Sequence, residues 1–149
     1  MITLVAIKTA INTALAPLNL EVYGGEIKEG FTRPCLFANL MPIKSETFKL
    51  DTSENLVVVE IVYFSANKTD IENLQMYDTL KAIFTPILTI GTKNKLVRNF
   101  RAEVIDEQDH IYSVKFDLSF YDEIPDNTPP DEDMGTLNLN LGGYEYGIT

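Results

Sequence analysis

The stretch Ile111-Tyr112-Ser113-Val114-Lys115-Phe116-Asp117-Leu118-Ser119-Phe120-Tyr121 decides the fold class. Tyr112, Val114, Phe116, Leu118 and Phe120 alternate with Ser113, Lys115, Asp117, Ser119 and Tyr121. Successive side chains of a strand point to opposite faces, so this is a strand with one face on a core. Leu96 to Ile105 reads as its partner arm, across a turn at Asp106-Glu107-Gln108-Asp109. A second hairpin is predicted from Phe48–Leu50 and Asn55–Ser65 around Asp51-Thr52-Ser53-Glu54. Val57 to Phe64 is apolar on both faces, which suits a central strand or a face reserved for a partner. Pro34 to Met41 and Leu20 to Tyr23 are further strands, the latter stopped by Gly24-Gly25, and Glu26 to Arg33 is a loop or a short strand.

Two segments carry helical spacing instead. Over residues 3–16, Leu4, Ile7, Ile11 and Leu15 recur with Ala6, Ala10 and Ala14 beside them; Thr3 is a candidate N-cap and Pro17 marks the end. Thr69-Asp70-Ile71-Glu72 is a capping box, followed by a stripe of Ile71, Leu74, Tyr77, Leu80 and Phe84 and a stop at Pro86. The expected fold is therefore α+β: a mainly antiparallel sheet built from hairpins, with two helices packed on one face.

The chain has 149 residues and a formal net charge of −10. That length suits one core, and hydrophobic residues at 45% with charged residues at 23% are ordinary for a folded domain. No run approaches the roughly 18–20 apolar residues of a membrane helix, and Met1 to Leu20 does not read as a signal peptide. One cysteine excludes an internal disulfide and a cysteine-rich zinc site. The acidity is uneven. Residues 1–121 hold 15 acids against 12 bases, a net of −3, whereas 122–149 hold seven acids and no base. Ile124-Pro125-Asp126-Asn127-Thr128-Pro129-Pro130-Asp131 reads as an extended linker, which divides the chain into a body, 1–122, and an acidic extension, 123–149. Beyond it, Leu137, Leu139 and Leu141 alternate with Thr136, Asn138 and Asn140. Such a strand could add to a sheet edge on a neighbour or on the same chain; the bland reading is a disordered tail.

Catalytic chemistry finds no support. His110 lies at a turn beside Asp109 with no nucleophile motif, and an ordinary surface histidine is the expectation. Cys35 reads as a buried structural thiol. Gly24, Gly25 and Gly30 lack phosphate-loop spacing, and Asp131-Glu132-Asp133 lacks the ligand pattern of a calcium loop. Asp106, Glu107 and Asp109 read as exposed turn residues. No enzyme activity, metal or cofactor is expected. The one basic concentration is Lys93, Lys95, Arg98 and Arg101. Strict alternation places Lys95 and Arg101 on one face and Arg98 on the other. The cluster is a candidate subunit or partner interface, as are Leu137, Leu139 and Leu141; the alternatives are a solvated strand edge and a weakly supported nucleic-acid site.

Over about residues 1–122, the order of these elements resembles the phage tail terminator proteins of Gram-positive phages, prophages and related tailocins. The residues that carry it are the first helix, Glu21-Val22-Tyr23-Gly24-Gly25-Glu26-Ile27-Lys28-Glu29-Gly30-Phe31, Arg33-Pro34-Cys35-Leu36-Phe37, Val62-Tyr63-Phe64 before the helix from Asp70, and the strand from Tyr112. The resemblance implies an α+β fold and a hexameric ring without catalysis. The ring would cap the head-proximal end of the tail tube, stop tube polymerisation and offer a docking surface to the head connector or neck protein. In a contractile particle it would also meet the terminal sheath subunit. It implies assembly in the host bacterial cytoplasm, with DNA passing through the ring without specific binding and no membrane partner. The acidic extension matches no motif of that family. Two other readings stay open at this point: a neck or head–tail completion protein of the same particle, and a small acidic inhibitor or immunity-like binding protein.

Overall fold

A computed structural model describes residues 1–24 and 31–125. Residues 26–30 of the predicted loop, the predicted linker from 126 onward and the predicted strand at 136–141 lie outside the described residues. The chain forms α1 (Leu4–Leu15), a short 3-10 turn (Ala16–Leu18), β1 (Glu21–Tyr23), β2 (Cys35–Lys49), β3 (Thr52–Phe64), α2 (Asp70–Phe84), β4 (Ile87–Ile90), β5 (Lys93–Asp106) and β6 (Ile111–Glu123). The six strands make one sheet in the order β1-β2-β3-β6-β5-β4. Only the β1–β2 pair is parallel. The architecture is α+β with a mainly antiparallel sheet, as the alternation predicts.

The core follows from that alternation. Val57, Val59, Ile61 and Tyr63 of β3 and Tyr112, Val114, Phe116, Leu118 and Phe120 of β6 belong to one buried cluster. Ile7, Ile11 and Leu15 of α1 and Leu80 and Phe84 of α2 enter the same cluster. Phe116 sits at its centre, 5.0 Å from the Phe84 ring and stacked on Phe100 at 5.9 Å. Both helix starts are capped as the sequence indicates. Thr3 Oγ1 accepts from the Ala6 amide at 3.0 Å, and Thr69 Oγ1 accepts from the Glu72 amide at 3.3 Å. The reciprocal contact differs from the standard box: Glu72 Oε1 accepts from the Asn67 amide and the Thr69 hydroxyl, both at 3.1 Å.

Several expectations are corrected. β2 is far longer than Pro34–Met41: it runs on to Lys49 and absorbs the predicted arm at Phe48–Leu50, and the turn falls at Leu50-Asp51. β4 is an added element, made possible because Gly91 takes the left-handed backbone (φ +63°) in the tight turn to β5. In the fold, Ile87, Leu88, Thr89 and Ile90 alternate exposed and buried, a pattern that the apolar pair Ile87-Leu88 does not show in the sequence. The first turn of α2 does not bury its apolar stripe, for Ile71 is 64% exposed and Leu74 58%. Leu4 of α1 is exposed too. β6 continues past Tyr121 to Glu123, and Asp122 is buried, where its Oδ2 accepts from the Ile2 amide at 2.5 Å. Asp122 thus ties the start of the chain to the sheet rather than opening a solvated tail.

The doubly apolar strand is central, between β2 and β6. Toward its Phe64 end the second face is covered by the chain itself, while Leu56 and Val58 stay half-buried. Phe64 lies 4.8 Å from Phe31 and 5.2 Å from Phe37, and Phe37 lies 5.2 Å from Tyr23. Val62 and Cys35 are buried on that side. This aromatic cluster takes up the surface that a partner would otherwise have to cover.

Candidate functional site

The basic residues all fall on β5, but not as strict alternation predicts. Asn99 has φ +56°, and the pairing of β5 with β6 shifts register between Arg98 and Arg101. Arg98 stands opposite Asp117 and Arg101 opposite Lys115. Asp117 and Lys115 are two residues apart on one strand, so they share a face, and the bulge puts both arginines on it. Lys95 goes to the other side, where its Nζ lies 5.5 Å from the centre of the Phe120 ring. The expected grouping is therefore reversed: Arg98 and Arg101 share a face and Lys95 does not.

Their partners divide them further. Arg101 Nη1 pairs with Asp117 Oδ1 at 3.1 Å and donates to the Asn99 carbonyl at 2.7 Å. Asn99 Nδ2 donates to Asp117 Oδ2 at 3.3 Å, so the bulge and the ion pair hold each other. Beside them Lys115 pairs with Glu103 at 3.7 Å and the Ser113 hydroxyl donates to Glu60 at 2.7 Å. Among the described residues Lys93 and Arg98 have no ion-pair partner, and both are exposed. The cluster thus offers two free cations at one margin of the sheet, not a patch of four. Leu137, Leu139 and Leu141 lie outside the described residues.

A cavity of about 700 Å³ opens between α2 and β5, lined by Asp70, Asn73, Leu74, Val104, His110 and Tyr112 among others. His110 is half-buried with φ +53°, not an ordinary surface residue. Its Nε2 lies 3.5 Å from Asp70 Oδ1, and its carbonyl accepts from Asn73 Nδ2 at 3.4 Å. Arg33 and Lys68 hold the adjacent Asp109 through its carbonyl (2.8 Å) and its carboxylate (3.2 Å). Among the described residues no serine, threonine or cysteine lines the cavity beside His110. Cys35 is fully buried, and burial pushes its thiol above the ordinary value, partly opposed by Arg33. That is the reverse of an activated nucleophile. Among the described residues no cluster of His, Cys, Asp and Glu could hold a metal ion, and no helix is long and apolar enough to cross a membrane.

Residues 6–130 match the family of the phage tail terminator protein, and the chain belongs to that family. The match spans nearly all of the described body and reaches the start of the acidic extension. It makes the chain a structural component of a phage tail, associated with other tail and head components. No curated protein matches the chain.

Proposed function

We propose that six copies of this chain form a ring at the head-proximal end of the tail tube, stop its polymerisation and present the docking surface for the head connector or neck protein. The family match over 6–130 carries the reading, because it takes in both helices and all six strands as one unit. A closed ring requires heterologous contacts, so each copy must present two different patches. The sheet supplies two unlike margins: β1 and the long β2 at one end, and the short β4 with the cations of β5 at the other. Lys93, Lys95, Arg98 and Arg101 serve contact between subunits or with the tube, with Lys93 and Arg98 as the groups free to pair outward. DNA passes through the ring without specific binding, and in a contractile particle the ring also meets the terminal sheath subunit. The ring assembles in the host bacterial cytoplasm.

Gene deletion tests the reading. Without the cap the tube end keeps offering its polymerising surface, so tails should grow to uncontrolled length and fail to join heads. Headless tails of normal length would overturn tube-stopping and favour the neck-protein reading. Electron microscopy of isolated tails should place six copies at the head-proximal end, and finding the chain at the distal end would overturn the placement.

A further inference from the structure

The β2–β3 hairpin leaves an apolar groove uncovered. A cavity of about 430 Å³ lies between the start of α1 and the far half of the hairpin, lined by Met1, Leu4, Val5, Pro42, Val57 and Phe120 among others. Val5 is 75% exposed, and Met1 and Leu4 are exposed beside it. The groove lies over the α1 side of β2, β3 and β6, and at Pro42, Lys44 and Ser45 it is walled by a strand whose outer margin lacks a partner. β1 pairs with β2 only at Cys35–Phe37, so from Ala38 to Lys49 the outer edge of β2 meets no strand among the described residues. Lys8 Nζ occupies the Ala38 carbonyl at 2.6 Å, which leaves the edge beyond it open. Ile43, Phe48 and Leu50 along this segment are exposed. Pro42 and the register shifts after Pro42 and after Thr47 interrupt its backbone ladder. An occupant must therefore be held by side chains as well as by backbone hydrogen bonds.

The chain's own continuation has the required chemistry and starts at the required place. The described chain ends at Pro125, where the Ile124 amide donates to the Asp51 carbonyl at the hairpin turn (3.0 Å). Asp122, three residues earlier, lines the groove. From there β3 and β2 must be crossed to a place beside β2, three strand spacings or about 14 Å. The ten residues 126–135 reach at most about 33–36 Å. A segment turning round the hairpin tip then runs antiparallel to β2. Residues 136–141 read Thr-Leu-Asn-Leu-Asn-Leu, so one side of the extended segment is all leucine and the other is polar. The groove between α2 and β5 suits this segment less well, because its lining carries Asp70, Glu103 and Glu107 and would repel the acids that precede the leucines. The lining at α1 carries one acidic side chain, Asp122, against Lys44 and the Met1 ammonium.

We propose that residues 136–141 of this chain dock along the outer edge of its own β2, with Leu137, Leu139 and Leu141 in the groove of Leu4, Val5 and Pro42. A tethered segment meets this groove at high effective concentration, which favours the same copy over a neighbour. The proposal does not depend on the ring or on tube-stopping.

Hydrogen exchange on the full-length chain tests it. In the native protein, outward amides of β2 between Ile43 and Lys49 should exchange about tenfold or more slowly than in the Leu137→Asp, Leu139→Asp, Leu141→Asp triple variant. The amides of β6 should be alike in both, showing that the body stays folded. Val5→Arg, at an exposed position on the groove wall, should speed the same β2 amides. Equal β2 exchange in the native chain and the triple variant would overturn the docking. Protection that disappears on hundredfold dilution would overturn the assignment to the same copy.

Discussion

Asn99 shows how one residue sets the charge pattern of a face. Its left-handed backbone makes the bulge that turns Arg98 onto the side of Asp117 and Arg101. A β-branched residue resists that conformation, so Asn99→Val should cost about 1–2 kcal/mol in urea denaturation. Asn99→Gly should cost less than Asn99→Val, about 0.5–1 kcal/mol, since glycine adopts the conformation freely and only the hydrogen bond to Asp117 is lost. Cys35 gives a second residue-level expectation. Burial holds its thiol above the ordinary value in the fold, and burial does the same for the hydroxyls of Tyr63 and Tyr112. Below the unfolded values both states are protonated and stability is unaffected. As pH rises past about 8.5 for the thiol and about 10 for the tyrosines, the unfolded chain ionises first and stability falls. The urea midpoint should therefore drop between pH 8 and 10, and Cys35→Ala should flatten the first part of that drop.

At the scale of elements, α2 begins with a cap and ends in the core, and its two halves behave differently. Thr69 and Glu72 close the first turn through Asn67, so Thr69→Ala should cost about 1 kcal/mol of unfolding free energy, read by thermal or urea melting. The same turn is where the sequence stripe misleads. The inward position is Asn73, only 2% exposed, which donates to the His110 carbonyl of the β5–β6 turn. A turn carries backbone groups that need partners, so a polar side chain faces it, while Ile71 and Leu74 are left outside. Farther along, Leu80 and Phe84 meet β-strand side chains, and the apolar spacing holds. Periodicity locates the helix because it reports the average face. It cannot report that the neighbour under the first turn is a polar loop.

Across the whole molecule, most of the formal −10 falls after residue 121, and within the body Lys44, Lys68, Arg101 and Lys115 are paired internally. Under the proposed function, Lys93 and Arg98, the exposed cations of β5 without an ion pair among the described residues, serve contact with another subunit or the tube. Lys93→Glu with Arg98→Glu should weaken incorporation into tails at low salt while the isolated chain stays folded, because neither residue supports an internal ion pair. Reversal of Arg101 would be a poorer probe, since it would set a second carboxylate beside Asp117. Incorporation equal to that of the native chain, measured by the content of purified tails, would mark Lys93 and Arg98 as a solvated margin. Charge complementarity acts chiefly on encounter and register, so the effect should fade as salt rises.

Spacing along the chain was enough for the α+β class, both helices and their caps, the central place of β3, the inward face of β6 and the burial of Cys35. Each of these follows from spacing within one segment, where the period of two or 3.6 residues is written into the chain. The order of those segments also carried the likeness to the tail terminators, which the match over 6–130 makes a membership. Tertiary structure alone decided what depends on neighbours in space. The full length of β2 comes from pairing with β3 through a mixed sequence that shows no apolar run. Toward the Phe64 end, the second face of β3 is filled by Phe31, Phe37 and Phe64, brought together from separate segments. The grouping of Arg98 with Arg101 needs the bulge, and a bulge is fixed by the register of two strands, which no single strand's pattern contains.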